Sequence, residues 1–161
     1  MDTAAGEIVA SVLTGNGTDD AGQVPNLLER IGAEIASVTA DGAYDGEPVY
    51  REVARRQPDP PVDVVIPPRA SAVMDTNVAD APSQRDQHIQ LIAGRGRMGW
   101  QKAIGYGRRN LVETAIGRYK SLIGHRMRAR TFSTQQGEVA IAIEALNRMI
   151  RAAKPISVRT A

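Results

Sequence analysis

The chain contains 161 residues, of which 42% are hydrophobic, 24% are charged and six are aromatic, and its formal net charge is +2. This length is that of one domain and is sufficient for an aliphatic core. The absence of cysteine excludes a disulfide framework or a thiolate metal site, and the absence of a run of about eighteen apolar residues excludes a membrane span.

Three short apolar segments predict strands. Each is rich in Val, Ile or Leu and is bounded by turn-forming Gly, Asp or Pro. They span residues 7–14, 35–40 and 62–66. The second segment ends at Asp41-Gly42, and the third ends at Pro67-Pro68.

Two helices are predicted between these strands. The first begins at Asp19 or Asp20 and ends at Arg30, with a proline in its first turns, where proline is tolerated. The second spans residues 46–57, and Asp45 is expected to cap its N-terminus.

The second half of the chain begins with a weakly patterned segment. Residues 69–100 contain scattered Asn, Asp, Ser, Pro and Gly, which predict a loop or insertion. Apolar residues at helical spacing then predict helices over residues 107–124 and 134–153. Residues 155–161 are expected to form a disordered tail. The order of elements indicates an α/β protein.

Charge is distributed unevenly along the chain. Residues 1–94 contain six basic and fifteen acidic residues. From Arg95 to Arg130 there are ten Lys or Arg residues, and Glu113 is the single acidic residue. A basic segment on this scale indicates binding to a polyanion, most often nucleic acid.

Glu113 lies within a regular pattern of polar side chains. Tyr106, Arg109 and Lys120 are offset from it by −7, −4 and +7 residues. On a helix they fall roughly 20 to 40° from Glu113, on the same face. The spacing supports two interpretations equally: Glu113 is a divalent-metal ligand beside a phosphate backbone, or it forms a weak ion pair with Arg109.

These residues resemble the Tyr-Arg-Glu-Lys signature of bacterial insertion-sequence transposases of the DDE class, whose catalytic domain is RNase H-like. Blocks at residues 5–14, 37–45 and 64–69 resemble the same family in the same order. The resemblance implies that residues 1–154 form an RNase H-like mixed sheet with flanking helices, truncated at the N-terminus.

The resemblance also implies a metal-dependent reaction. In such transposases two Mg²⁺ (or Mn²⁺) ions held by carboxylates flank the scissile phosphate. Asp41 and Glu113 match the second and third carboxylates, which makes them the candidate catalytic metal ligands, and we expect them to converge at the carboxyl edge of the sheet. From its position alone, Asp41 is either a ligand at a strand end or a turn aspartate of an Asp-Gly pair.

Several cations are candidates for DNA contacts. Arg109 and Lys120 match the signature cations, and Tyr106 is expected either to lie near the DNA backbone or to pack at the start of the helix. The remaining candidates are Arg108, Arg126, Arg128 and Arg130. His88 is expected in a surface loop. Trp100 is expected to be a hydrophobic anchor, and the alternative is that it stacks on a base.

The chain departs from the family in two respects, because the first catalytic aspartate and the N-terminal DNA-recognition region have no counterpart in it. We therefore expect a DNA transposase by descent that is inactive as this chain alone. The alternative is a non-catalytic DNA-binding remnant or transposase partner. The four blocks argue against an unrelated RNase H-like nuclease. The resemblance implies insertion-sequence ends and target DNA as partners, a homo-oligomer on DNA, no membrane, and a cytoplasmic, nucleoid-associated location.

Overall fold

The computed structural model describes residues 1–75 and 82–152. These residues form a mixed α/β structure with five α-helices and a small sheet of two strands. The chain divides into two compact units, one of Asn16–Asn110 and one of Met1–Gly15 with Leu111–Ala161. The tail predicted at residues 155–161 lies outside the described residues.

The unit Asn16–Asn110 is built around a β-α-β crossover. Its elements are α1 (Val24–Glu29), β1 (Ser37–Thr39), α2 (Glu47–Arg56), β2 (Asp63–Val65) and α3 (Gln84–Ile104). Three 3-10 turns accompany them, at Ala21–Gln23, Gly42–Tyr44 and Tyr106–Arg109. The two strands pair in parallel, with Val38 opposite Val64. Both strands were predicted, although each is shorter than its apolar segment.

The core of this unit is almost entirely aliphatic, as the composition predicts. It is formed by one face of α1 and α2 and by the inward side chains around the two strands. Its buried members are Val24, Leu28, Ile35, Val49, Tyr50, Val53, Val62, Val64 and Ile66.

A glutamine fixes the entrance to β1. The Gln57 side chain follows α2 and is buried. Its Oε1 accepts a hydrogen bond of 2.7 Å from the Ile35 amide, and its Nε2 donates to the Ile35 carbonyl at 3.0 Å and to the Pro60 carbonyl. The side chain therefore satisfies buried backbone groups as a neighbouring strand would.

The strand predicted at residues 7–14 was wrong, because the structure has no regular secondary structure there. In the unit that contains it, the Ile8 backbone pairs with a side chain instead. Asn147 Oδ1 accepts from the Ile8 amide at 2.9 Å, and Asn147 Nδ2 donates to the Ile8 carbonyl at 3.0 Å. A β-branched sequence forms a ladder only where another strand accepts and donates its hydrogen bonds.

The loop predicted at residues 69–100 was wrong from residue 84 onward, where α3 begins. Ser83 caps this helix: its Oγ accepts from the Asp86 amide and donates to Asp86 Oδ2 at 2.8 Å. The sequence of α3 contains three glycines, and glycine is a poor helix former, so the helix was not predicted. One of them, Gly96, has φ of 69° and joins two helical segments across a kink.

The capping role predicted for Asp45 was also wrong. Gly46 occupies the N-cap of α2 and makes no side-chain capping bond. The Asp45 carboxylate is buried and pairs with Arg85. By contrast, Asp19 does lie at a helix start, where its Oδ2 accepts from the Gly22 amide at 2.9 Å.

His88 and Trp100 anchor α3 to β2. Trp100 is fully buried, as expected of a hydrophobic anchor, and its Nε1 donates to His88 Nδ1 at 3.1 Å. His88 Nδ1 must therefore accept, so His88 Nε2 carries the hydrogen that bonds the Val64 carbonyl at 2.8 Å. His88 is a half-buried helix residue, so the surface-loop prediction was wrong.

The other unit contains α4 (Asn110–Leu122) from its second residue onward and α5 (Phe132–Ala152). Both helices agree with the predicted segments to within three residues. Over the described ranges, no helix has both the length and the apolar character needed to cross a membrane.

We predict that the His88→Leu substitution destabilises the fold by about 1–3 kcal/mol, because it leaves the buried Trp100 N–H and the Val64 carbonyl without partners. Urea unfolding followed by the fluorescence of the single tryptophan measures this change. His125→Leu, at the other and exposed histidine, is the control and should change stability by less than about 0.5 kcal/mol. Equal effects of the two substitutions would contradict the assigned hydrogen bonds.

Candidate functional site

Asp41 lies at the exit of β1, two residues beyond the last strand residue. Its Oδ1 accepts from the Ala43 amide at 2.9 Å, which caps the 3-10 turn Gly42–Tyr44. The side chain is nevertheless 43% exposed. Asp41 is therefore a turn aspartate, which was one of its two predicted roles. This role uses one carboxylate oxygen and leaves the carboxylate open to solvent.

The other oxygen of Asp41 meets the arginine of the signature. Arg109 Nη2 lies 3.3 Å from Asp41 Oδ2, across a sequence separation of 68 residues. The pair forms because the turn Tyr106–Arg109 contacts β1. Since the Arg109 side chain is 31% exposed, this ion pair contributes at most about 1 kcal/mol to stability. Its importance is positional, because it sets a guanidinium beside the candidate metal ligand.

Tyr106 is positioned by packing. Its ring lies 5.2 Å from that of Trp100, measured between centroids, with an angle of 47° between the planes. This contact fits the interpretation of Tyr106 as a packed residue at the start of a helix. Stacking of Trp100 on a base is excluded by its complete burial.

Glu113 and Lys120 belong to the other unit. Both are exposed on α4, with Glu113 in its first turn and Lys120 in its last turn. These positions suit the helix dipole, which favours anions at the N-terminus and cations at the C-terminus. The convergence of Glu113 with Asp41 stays a prediction, because the two residues belong to separate compact units.

The three arginines proposed to contact phosphate, Arg126, Arg128 and Arg130, are exposed between α4 and α5. Glu138 of α5 holds the backbone of this segment, since its carboxylate accepts from the Arg128 and Ala129 amides at 2.7–2.9 Å. The side chain of Arg108 lies outside the described part of the structure.

The sequence analysis missed Arg69 and Arg85, which surround the turn after Asp41. Arg69 donates to the carbonyls of Gly42 and Ala43. Arg85 donates two hydrogen bonds to the buried carboxylate of Asp45. A signal for Arg69 was present in the sequence, since it closes the Val-Val-Ile-Pro-Pro-Arg block at residues 64–69. Arg85 lay within the segment taken for a loop.

The chemistry of Asp41 fits a divalent-metal ligand. Mg²⁺ prefers carboxylate oxygens and keeps several waters, so one or two carboxylates can hold it. Asp41 offers such oxygens at an exposed strand end, and each makes one hydrogen bond. Within residues 1–75 and 82–152, no group of three or more His, Asp or Glu side chains comes together as a complete metal site.

Comparison with known proteins gives the family. The sequence profile described as the transposase DDE domain matches residues 1–148. The chain therefore belongs to the DDE transposase family, which confirms the resemblance recognised in its sequence. Membership implies a DNA substrate, and the family generally uses a divalent metal. No solved structure matches the chain.

We predict a pH-dependent contribution from Glu138. Its two backbone hydrogen-bond partners, Arg128 and Ala129, lower the pKa of the carboxyl below its ordinary value of 4.5. Because the pKa is lower in the folded state, the stabilisation is fully present above the unfolded value of 4.5 and disappears as pH falls through the folded value.

Urea unfolding of the wild type and of Glu138→Gln at several pH values measures this contribution. The wild type should be more stable at pH 7, and the difference in stability should shrink below pH 4.5 as the carboxylate becomes protonated. A difference that stays constant down to pH 3 would show that the charge of Glu138 is not involved.

Proposed function

We propose that this chain is by descent a DNA transposase of the insertion-sequence type, inactive as this chain alone, in which Asp41 and Glu113 are ligands of the catalytic Mg²⁺ or Mn²⁺. The proposed reaction is cleavage and transfer of DNA strands at the ends of the element. The same proposal assigns Tyr106, Arg109 and Lys120, with Arg108 and the three arginines of residues 126–130, to binding of the DNA backbone.

The contact between Asp41 and Arg109 is the observation that best supports this proposal. A carboxylate at the exit of a parallel strand meets an arginine from a distant part of the chain, at 3.3 Å. Both residues belong to blocks that resemble the family, and their spacing in sequence would not bring them together by itself. The β-α-β crossover between residues 37 and 65 supports the RNase H-like fold that we propose for residues 1–154.

Asp41 and Glu113 would hold the metal through carboxylate oxygens. The chemistry that bound Mg²⁺ or Mn²⁺ supplies is activation of the attacking oxygen and stabilisation of the leaving oxygen of the phosphate. Arg109 can orient the Asp41 carboxylate, and its positive charge can attract a phosphate oxygen. Lys120 acts as a point charge, which attracts phosphate without fixing its orientation.

The basic segment would supply affinity for DNA that is independent of base sequence. Lys and Arg side chains that neutralise phosphates release condensed counterions, which makes binding strong at low salt and weak at high salt. Ten of the twenty Lys and Arg residues lie between Arg95 and Arg130. The chemistry of the family acts on two DNA ends, so we propose that the protein acts as at least a dimer on DNA.

We predict that Asp41→Asn and Glu113→Gln each weaken Mn²⁺ binding about tenfold or more, because each removes a charged oxygen ligand. Titration of the purified chain with Mn²⁺, followed by electron paramagnetic resonance, measures the affinity. Asp59→Asn and Glu144→Gln remove one charge from an exposed position in each unit and serve as controls. Equal affinity in all variants would contradict the assignment of the ligands.

A nicking assay, combined with the Mn²⁺ titration, separates the transposase from the non-catalytic alternative. Supercoiled DNA carrying the ends of the element is incubated with protein and Mn²⁺. Nicks that disappear in Glu113→Gln indicate catalysis of the proposed kind. DNA binding without nicks is expected of this chain alone, because the first catalytic aspartate has no counterpart in it. DNA binding with neither nicks nor Mn²⁺ binding at Asp41 and Glu113 would favour a DNA-binding remnant or a partner of another transposase.

We predict that replacing Arg126, Arg128 and Arg130 together by Gln weakens DNA binding and flattens its dependence on salt. Each lost phosphate contact should reduce the slope of log K against log salt by roughly 0.9, so the slope should fall by about 3. Duplex DNA titrated at four salt concentrations gives the slope.

The control for this experiment changes the same amount of charge elsewhere. Arg30, Arg51 and Arg55 are exposed and lie in the acidic part of the chain. Their joint replacement by Gln should leave the slope close to that of the wild type. Equal slopes for the two triple variants would show that the basic segment is not the DNA-binding surface.

A further inference from the structure

Residues outside the turn that follows Asp41 hold that turn in place. The Asp41 side chain is partly exposed and accepts one hydrogen bond within its own turn, from the Ala43 amide. Burial therefore does not fix the direction of its carboxylate. The direction depends on the ion pair with Arg109 and on the backbone of the turn Gly42–Tyr44, and hence also on the groups that hold that backbone in place.

Arg69 holds this backbone through its carbonyls. Its Nε donates to the Gly42 carbonyl at 3.2 Å, and its Nη2 donates to the Ala43 carbonyl at 3.0 Å. The two bonds come from one planar guanidinium, so they fix both the distance and the orientation of the turn.

Glycine at position 42 allows the turn to approach the segment that follows β2. A Cβ atom added to Gly42 would lie 3.2 Å from the carbonyl oxygen of Pro67. This separation is tighter than ordinary van der Waals contact, and the opposing atom is backbone. The turn therefore lies against the same segment that presents Arg69.

Asp45 connects the turn to α3. Its carboxylate is completely buried and accepts from the Arg69 amide at 2.9 Å. Arg85 Nε donates to Asp45 Oδ1 at 2.7 Å, and Arg85 Nη2 donates to Asp45 Oδ2 at 3.2 Å. Such a bidentate pair is strongly directional, and removing one partner leaves a buried charge uncompensated.

On the assumption that Asp41 is a metal ligand, as in the proposed function, we propose that Arg69 and Arg85 are positioning residues for it. Arg69 holds the carbonyls of the turn, and Arg85 holds its far end through Asp45. Neither arginine contacts the Asp41 carboxylate, so they act only through the backbone. Groups that orient a metal ligand from outside typically change metal affinity 10- to 100-fold when they are removed.

Two measurements on the full chain test this proposal. The amide proton of Ala43, which donates to Asp41 Oδ1, reports the orientation of the carboxylate in ¹H–¹⁵N spectra without any metal. Titration with Mn²⁺ reports the ligand function. The variants are Arg69→Ala, Arg69→Lys and Arg85→Lys. The control is Arg55→Ala, an exposed arginine in the same unit that pairs with Glu52.

We expect Arg69→Ala to shift the Ala43 amide resonance towards its unfolded value, to speed its hydrogen exchange and to weaken Mn²⁺ binding about tenfold. Arg69→Lys should recover part of the affinity, because one ammonium can reach one of the two carbonyls. Arg85→Lys should act in the same direction, since it keeps the charge that Asp45 requires but loses the fork. Arg55→Ala should change neither measurement.

The outcomes separate this proposal from the proposed function. An unchanged Ala43 amide in both Arg69→Ala and Arg85→Lys overturns the positioning role. A shifted amide with undiminished Mn²⁺ affinity overturns it as well. If the wild type binds no Mn²⁺ but the amide shifts, the positioning of Asp41 is upheld and the metal-ligand role of Asp41 fails. If Arg69→Ala does not fold, Arg85→Lys alone decides by the same two criteria.

Discussion

The buried negative charge of Asp45 is the constraint on which the unit Asn16–Asn110 depends. A carboxylate removed from water costs several kcal/mol unless it is paired and hydrogen-bonded. Arg85 and the Arg69 amide satisfy it together. These partners come from α3 and from the segment after β2. The Asp45 carboxylate therefore connects the segments that follow both strands to the long helix α3. The candidate ligand Asp41 stands four residues before this charge, on the turn that it anchors.

Local patterns predicted the elements that local interactions form. The helices α4 and α5 follow from apolar residues at helical spacing, and both strands of the sheet follow from short apolar segments. The segment at residues 7–14 has an equally good strand pattern but no strand, because its partner is the Asn147 side chain, 139 residues away. For α3 the capping signal Ser83-x-x-Asp86 was present, but its glycines outweighed it.

The residues of the candidate site were likewise predicted only in part from the sequence. Motif spacing identified Arg109 and Glu113, the resemblance of residues 37–45 to the family identified Asp41, and the family match supports that resemblance. The pairing of Asp41 with Arg109 could not be read from the sequence, since it needs the turn Tyr106–Arg109 to contact β1. Arg69 and Arg85 escaped notice for a related reason: the first bonds backbone carbonyls and the second bonds a residue expected to be a helix cap. The metal-ligand roles stay predictions.

The contacts around the Asp41 turn also have a kinetic consequence. Asp45 and Arg85 are separated by 40 residues and Asp41 and Arg109 by 68, whereas the helices form from neighbouring residues. Contacts that close long loops form late in folding. The chain loses the entropy of the open loop before the contact contributes any favourable free energy. The turn should therefore be the last part of its unit to become ordered and among the first to open. Slow amide exchange in the core and faster exchange at the turn would record that order, and a bound metal would act mainly on this late step.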